Sequence, residues 1–204
     1  MSLLPHPSSG PVSSGAQPLK GENIAILVAS GFDESVFLES LRALRGTGAK
    51  LTIVSSVPGL VQGWNGATFG HSHAVDVALS TALSADFSML LVPPGARSMD
   101  KLKTNSHTVR FIKGCLSYGY PVAFLGDAVT LLAHVGGAAG VTVSGPAGAQ
   151  AAMTSAGAVW SDTPTTLSNQ ILSAGVDDTA AIAVAVRAVV DHFVNIPDDM
   201  RLAA

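Results

Sequence analysis

Charge is scarce in this 204-residue chain, with Asp, Glu, Lys and Arg together making up 12%. The formal net charge is −3 and the pI is near 6.0, which excludes the basic footprint of a nucleic-acid or anionic-membrane binder. A single cysteine excludes an internal disulfide, so a reducing, cytoplasmic setting is expected. No apolar run approaches the roughly 20 residues of a membrane span. A basic stretch leading into an apolar core is also missing at the N-terminus, so no signal peptide is expected. What the chain has instead is 48% hydrophobic residues and 21 glycines. Such small, apolar compositions often hide surface in an oligomer.

Residues 1–20 (MSLLPHPSSGPVSSGAQPLK) are rich in Pro, Ser and Gly and read as a flexible arm or linker. The domain is expected over residues 21–204. From Glu22 the texture becomes an alternation of strands and helices. ENIAILVAS reads as a buried strand. FDESVFLESLRALRGTG reads as a helix with Phe37, Leu38, Leu41 and Leu44 on one face. AKLTIVSS, FSMLLVPPG and PVAFLG read as further strands, and SHTVRFIKGCLSYG as a helix. The Gly-rich VPGLVQGWNGATFG predicts a hairpin or loop and HAVDVALSTAL a weak helix. VTVSG and AVWSD predict short late strands, and DDTAAIAVAVRAVVDHFV a closing helix. The alternation predicts an α/β, flavodoxin-like three-layer sandwich, with helices flanking a mostly parallel sheet.

One stretch has the form of an active-site turn. PVAFLGDAVTLLAHVG runs from a strand through a sharp turn into a helix, which lifts one side chain above a sheet edge and aims helix N–H groups at a ligand. Its apex, Leu125-Gly126-Asp127, offers no Ser, Cys or Thr.

Together with IAILVASGFDESVFLESLRALRGTGAKLTIVSS, FSMLLVPPGARSMDKL and ILSAGVDDTAAIAVAV, this stretch resembles the DJ-1/PfpI superfamily (class I glutamine amidotransferase-like) over nearly the whole chain after the arm. Within it, Gly126-Asp127-Ala128 and a terminal Ile196-Pro197 are most similar to the C-terminal domain of large-subunit catalases. The resemblance places the family's nucleophilic cysteine at Leu125 and its activating glutamate at Val36, with Glu34 nearby. The downstream histidine of several members has no counterpart in VTVSGPAG. An isobutyl group neither ionises nor attacks a carbonyl, so cysteine chemistry is expected to be absent.

The remaining candidates each have a structural reading. Asp127 is expected to cap its own helix, the other role being a ligand-facing acid. Gly95 matches a position whose N–H lines an oxyanion site, and Pro94 before it removes a donor. Gly95, Gly126 and Asp127 are therefore the pocket candidates. Cys115 reads as a buried structural thiol and Ser98 as the other conceivable replacement nucleophile. His71, His73 and Asp76 in GHSHAVD give only a weak metal pattern, and none is expected to bind one. His134 reads as a packed or surface histidine, and Trp64 and Trp160 as core-edge or subunit contacts. No P-loop or dinucleotide fingerprint follows the first strand.

The expectation is a catalytically silent domain that works by association. It would assemble, stabilise or protect, chaperone-like, in hydrogen-peroxide stress systems. Its partners would be a second copy of itself, a haem catalase domain or unfolding client proteins. Haem would belong to a fused or partner domain, because this chain is too short for a catalase barrel. The alternatives are a hydrolase or glyoxalase-like enzyme with a replacement nucleophile, and a small-anion binding module at the elbow.

Overall fold

The computed structural model describes residues 17–195. The run NIAILV forms strand β1 (Asn23–Val28), buried from Ile24 onward. A strand with two apolar faces needs cover on both sides, and parallel neighbours joined by helices supply it. β1 pairs in parallel with β3 (Lys50–Ser55) on one flank and β7 (Met89–Val92) on the other. Beyond β7 lie β8 (Val122–Leu125) and β12 (Ile171–Ala174), both parallel. The antiparallel β11 (Thr165–Ser168) closes that edge, and β6 (Val77–Ala78) the other. The order is β11-β12-β8-β7-β1-β3-β6. This is the expected three-layer sandwich with a mostly parallel sheet.

One face is covered by α1 (Glu34–Gly46) and α6 (Thr179–Val194), over a core that includes Ile26, Phe32, Phe37, Leu91, Leu125 and Phe193. The other face carries α2 (Ala96–Thr104), α3 (Ser106–Ser117), α4 (Thr130–His134) and α5 (Gln150–Ser155) over Leu27, Leu90, Phe111, Phe124 and Leu131. Asp33 starts α1 by accepting the Val36 N–H at 3.1 Å, a side-chain cap on the first turn. Leu38, expected on the buried face of α1, is 39% exposed, because Val36, Phe37, Ser40, Leu41 and Leu44 define that face.

The Gly-rich segment is a hairpin of β4 (Leu60–Trp64) and β5 (Phe69–Ala74), joined in a small sheet by β2 (Phe32–Asp33). Residues 73–83 are not the expected helix. Asp76 accepts the Ile53 N–H at 2.7 Å through its carboxylate and donates its own N–H to the Ile53 carbonyl. These bonds draw the chain alongside β3, and β6 forms there. β9 (Thr142–Val143) and β10 (Val159–Trp160) pair in parallel as a separate ribbon.

Residues 1–16 of the expected arm lie outside the described residues, as does Ile196-Pro197. Of residues 17–20, the described part of the arm, Gln17, Pro18 and Lys20 are exposed and Leu19 is the packed one. Leu19 is fully buried and donates its N–H to the Thr47 carbonyl at 3.0 Å, since an aliphatic side chain at this point can cover the end of α1.

Candidate functional site

The chain runs from β1 to β3 and β6 in one direction and to β7, β8 and β12 in the other, so the strand order reverses beside β1. In such sheets the crevice at the carboxyl ends of the strands near the reversal is where ligands bind. Because β7 and β8 are neighbours, Pro93-Pro94-Gly95 and Gly126-Asp127 leave the sheet side by side.

At the elbow, Leu125 is a fully buried strand residue with extended backbone, φ −103° and ψ 134°. The left-handed residue is Gly126, φ +57°, one position later than the resemblance placed the nucleophile. A Cβ at Gly126 would lie 2.8 Å from both Pro94 Cβ and Val176 Cγ2. Neither position carries a nucleophilic atom. The expected elbow helix is a short 3-10 turn over residues 126–129, followed by the five-residue α4.

Asp127 does not cap that helix. Its Oδ1 accepts the Gly95 N–H at 2.8 Å, so it caps the start of α2, a different helix. The adjacency of β7 and β8 explains the contact, because it sets the two strand exits side by side. Burial pushes the Asp127 carboxyl above the ordinary carboxylate range. The Gly95 N–H and the Lys103 charge pull it down, and the neighbouring Asp33 adds to the rise. Gly95 has φ +139°, and a Cβ there would come 2.6 Å from the Gly31 carbonyl oxygen and Phe32 Cα. Only glycine lets these two backbones meet. Pro94 has no N–H to offer, and its carbonyl accepts the Asp33 N–H at 2.7 Å.

Val36 is wholly buried in the α1 face of the core. Glu34, two residues earlier, has the polar partners. Its Oε1 accepts the His71 backbone N–H at 2.8 Å, meets His71 Nδ1 at 2.7 Å and lies 3.8 Å from His73 Nε2. Burial alone would raise the Glu34 carboxyl. The His71 N–H, the His71 ring and the charges of both histidines outweigh it and hold the group below its usual range. The alternation in GHSH carried this signal, since residues two apart on a strand share a face. Asp76, the third residue of that weak pattern, accepts the Ile53 N–H at 2.7 Å. Among the described residues no group of three His, Cys, Asp or Glu is placed to hold a metal ion.

The replacement nucleophiles are sequestered. Ser98 is fully buried and its Oγ accepts the Ala29 N–H at 2.9 Å. Cys115 is fully buried on α3, and burial pushes its thiol up to about 12. His134 is exposed. Trp64 stacks under Arg97, 4.1 Å from ring centroid to guanidinium carbon, and Trp160 donates its indole N–H to Asp162 at 3.1 Å. Beside the elbow lies an open cleft of about 400 Å³ lined by Gly145, Trp160, Asp162, Asp177 and Asp178 among others. Its lining contains no Lys, Arg or His. The arrangement seats the Asp127 carboxylate on the Gly95 backbone donor.

The model of the DJ-1/PfpI family matches residues 22–188. Catalase HPII of Pseudomonas aeruginosa is 30% identical over 135 residues, covering 64% of this chain and 18% of that protein. General stress protein 18 of Bacillus subtilis is 30% identical over 103 residues, covering 50% of this chain and 58% of that protein. Catalase-1 of Neurospora crassa is 26% identical over 129 residues, and the chain spans only 17% of its length. Among solved structures, a ThiJ/PfpI domain protein of Brachyspira murdochii aligns with a TM-score of 0.77 at 17% identity, covering 88% of this chain and 99% of that one. Drosophila melanogaster DJ-1beta aligns with a TM-score of 0.75 at 16% identity, covering 90% and 95%. These likenesses establish the fold. Among the described residues no helix is long and apolar enough to cross a membrane. The match over residues 22–188 places the chain in the DJ-1/PfpI family, with the likeness to large catalases that its elbow motif indicates.

Proposed function

We propose that this domain is catalytically silent and acts by association, as an assembly, stabilising or chaperone-like module in systems that meet peroxide stress. The observation that carries the reading is the elbow itself: the left-handed residue is a glycine and the residue before it a buried leucine. Chemistry by substitution has no support elsewhere. The Ser98 hydroxyl is engaged by a backbone N–H, and a thiol raised to about 12 is almost entirely unionised at neutral pH. The likeness to two catalases and to a general stress protein supports the setting. Haem and peroxide turnover belong, on this reading, to a fused or partner domain.

Assays of the purified chain test the proposal. Peptide hydrolysis and methylglyoxal conversion should stay at the buffer rate. Turnover that vanishes in Cys115→Ala or Ser98→Ala would overturn the silent reading and restore an enzyme with a replacement nucleophile.

A further inference from the structure

The turn that joins β4 to β5 holds the parts of a reaction. Asn65 and Gly66 follow Trp64 directly, and residues 65–68 are all exposed. The Asn65 side-chain oxygen, Oδ1, accepts the Ala67 N–H at 3.1 Å and the Thr68 N–H at 2.9 Å. Two backbone donors on one carbonyl oxygen polarise its carbon. They also stabilise the negative charge that develops on the oxygen when that carbon is attacked. The potential leaving group, Nδ2, donates to Thr68 Oγ1 at 3.3 Å. The nucleophile is the Gly66 nitrogen, whose N–H donates to no group among the described residues. It is bonded to the very residue it would attack, so ring closure is intramolecular. Glycine leaves the approach open: its φ is +94°, and no atom lies within 4 Å of an added Cβ.

We propose that Asn65 is a self-modification site, at which this turn drives conversion to aspartate and isoaspartate. Hydroxide takes the Gly66 N–H proton, and the nitrogen bonds to Asn65 Cγ. The Cγ–Nδ2 bond breaks, Nδ2 takes a proton from water and leaves as ammonia, and a five-membered succinimide remains. Water then opens the ring. Breaking the new Cγ–N bond gives aspartate. Breaking the backbone C–N bond gives isoaspartate, whose chain runs through the side chain and is longer by a methylene. Water is taken up and ammonia released, with no oxidant or reductant. The consequence rests on the association reading. Asn65 lines, with Leu38, Trp64 and His71, a second open cleft beside the start of α1. Asp33 and Glu34 already line it, so conversion adds a third carboxylate there. Pairing through that face would have to bury the added charge, so conversion favours the monomer.

The full chain, aged at mildly alkaline pH and mapped by peptide mass spectrometry against aspartyl and isoaspartyl standards, tests the site. In the fold, Asn65 should convert at least about tenfold faster than Asn105 or Asn169, which precede Ser106 and Gln170. Urea removes the two donors, so Asn65 should convert more slowly in the unfolded chain. Gly66→Ala, whose methyl group meets no neighbour but shields the nitrogen, should slow conversion in the folded protein. Conversion at Asn65 no faster than at Asn105 or Asn169 overturns the proposal, as does conversion in urea that equals or exceeds the folded rate. Both comparisons use wild type and stand whether or not Gly66→Ala folds. Sedimentation reads the consequence: aged wild type and fresh Asn65→Asp should both shift toward monomer, and an unshifted assembly overturns that step. Fresh wild type that is already monomeric defeats the association reading, while the mass measurement still decides the modification.

Discussion

Glu34 holds His71 twice through a single oxygen, accepting its backbone N–H at 2.8 Å and meeting its Nδ1 at 2.7 Å. The two glycines opposite make this possible. A Cβ on Gly63 would lie 2.7 Å from Glu34 Cβ, and one on Gly70 would overlap Glu34 Oε2. The pair ties the first turn of α1 to β5, the outer strand of the hairpin.

The first prediction follows from that tie. Glu34→Ala leaves the His71 N–H without its acceptor and should cost on the order of 2 kcal/mol, with Glu34→Gln costing less. Hydrogen exchange should accelerate in residues 69–74 before the central sheet responds. Unchanged protection of β5 in Glu34→Ala would show that the hairpin is held by its strand pairing alone.

The second prediction is a pair of opposite pH slopes. The Glu34 carboxyl is held low in the fold, so its contribution is present above its unfolded pKa of about 4.5 and is lost as pH falls through the lower folded value. The Asp127 carboxyl is raised. Its contribution is therefore present below its unfolded value of about 3.8 and is lost as pH rises through the higher folded one. In melting curves measured across acidic pH, Glu34→Gln should lose less stability than wild type on acidification. Asp127→Asn should lose less than wild type as pH climbs from about 4. Parallel curves for all three proteins would deny both environments.

The central strands and the long helices were legible because their burial is written in periodicity. NIAILV and MLLV have nowhere to go but between two helical layers, and α6 is long enough for its Ala and Val residues to read as a helix. The absence of a nucleophile was equally plain. What the sequence hid were partnerships between distant segments. Asp127 and Gly95 stand 32 positions apart, and only the pairing of β7 with β8 brings them together. Glu34 and His71 are separated by 37 positions, and the Gly63 and Gly70 that make room for the carboxylate carry no such label. The segment 73–83 misled because Ala and Leu favour helices in isolation, whereas two bonds from Asp76 to Ile53 commit it to the sheet edge.

The third prediction concerns glycines that share a positive φ but not their surroundings. Gly119, at φ +74°, has no atom within 4 Å of an added Cβ, so Gly119→Ala should lose only the left-handed penalty of roughly 1–2 kcal/mol. Gly126→Ala adds collisions with Pro94 and Val176, and Gly95→Ala collides with backbone that cannot step aside. Those two should lose about 1–3 kcal/mol more. Denaturant midpoints ranked Gly119→Ala above Gly126→Ala above Gly95→Ala are expected. Equal midpoints would mean that the elbow relaxes freely around the added methyl groups.

The last prediction carries the functional claim. With 12% charged residues, the chain has few charges with which to keep its surface wet. Leu38, 39% exposed, and Phe69, 46% exposed, flank Trp64: Leu38 lines with Trp64, Asn65 and His71 the second open cleft, beside the start of α1, and the Phe69 ring is 5.3 Å from the indole. We expect this α1–hairpin face to pair with its copy, because an isologous contact closes without leaving a further adhesive surface. Sedimentation should therefore show a dimer or larger at micromolar concentration, and Leu38→Asp with Phe69→Asp should shift it toward monomer. Leu83→Asp, at a residue 56% exposed but not lining this cleft, should leave the assembly intact. A clean wild-type monomer at high micromolar concentration contradicts association. If the dimer forms, its apolar face freed on dissociation should suppress aggregation of a heat-labile client in light scattering. In the monomeric double variant, protection lost ties the holding activity to the α1–hairpin face, and protection retained places it elsewhere on the chain. No protection by wild type at several-fold molar excess would remove the chaperone-like role and leave assembly alone.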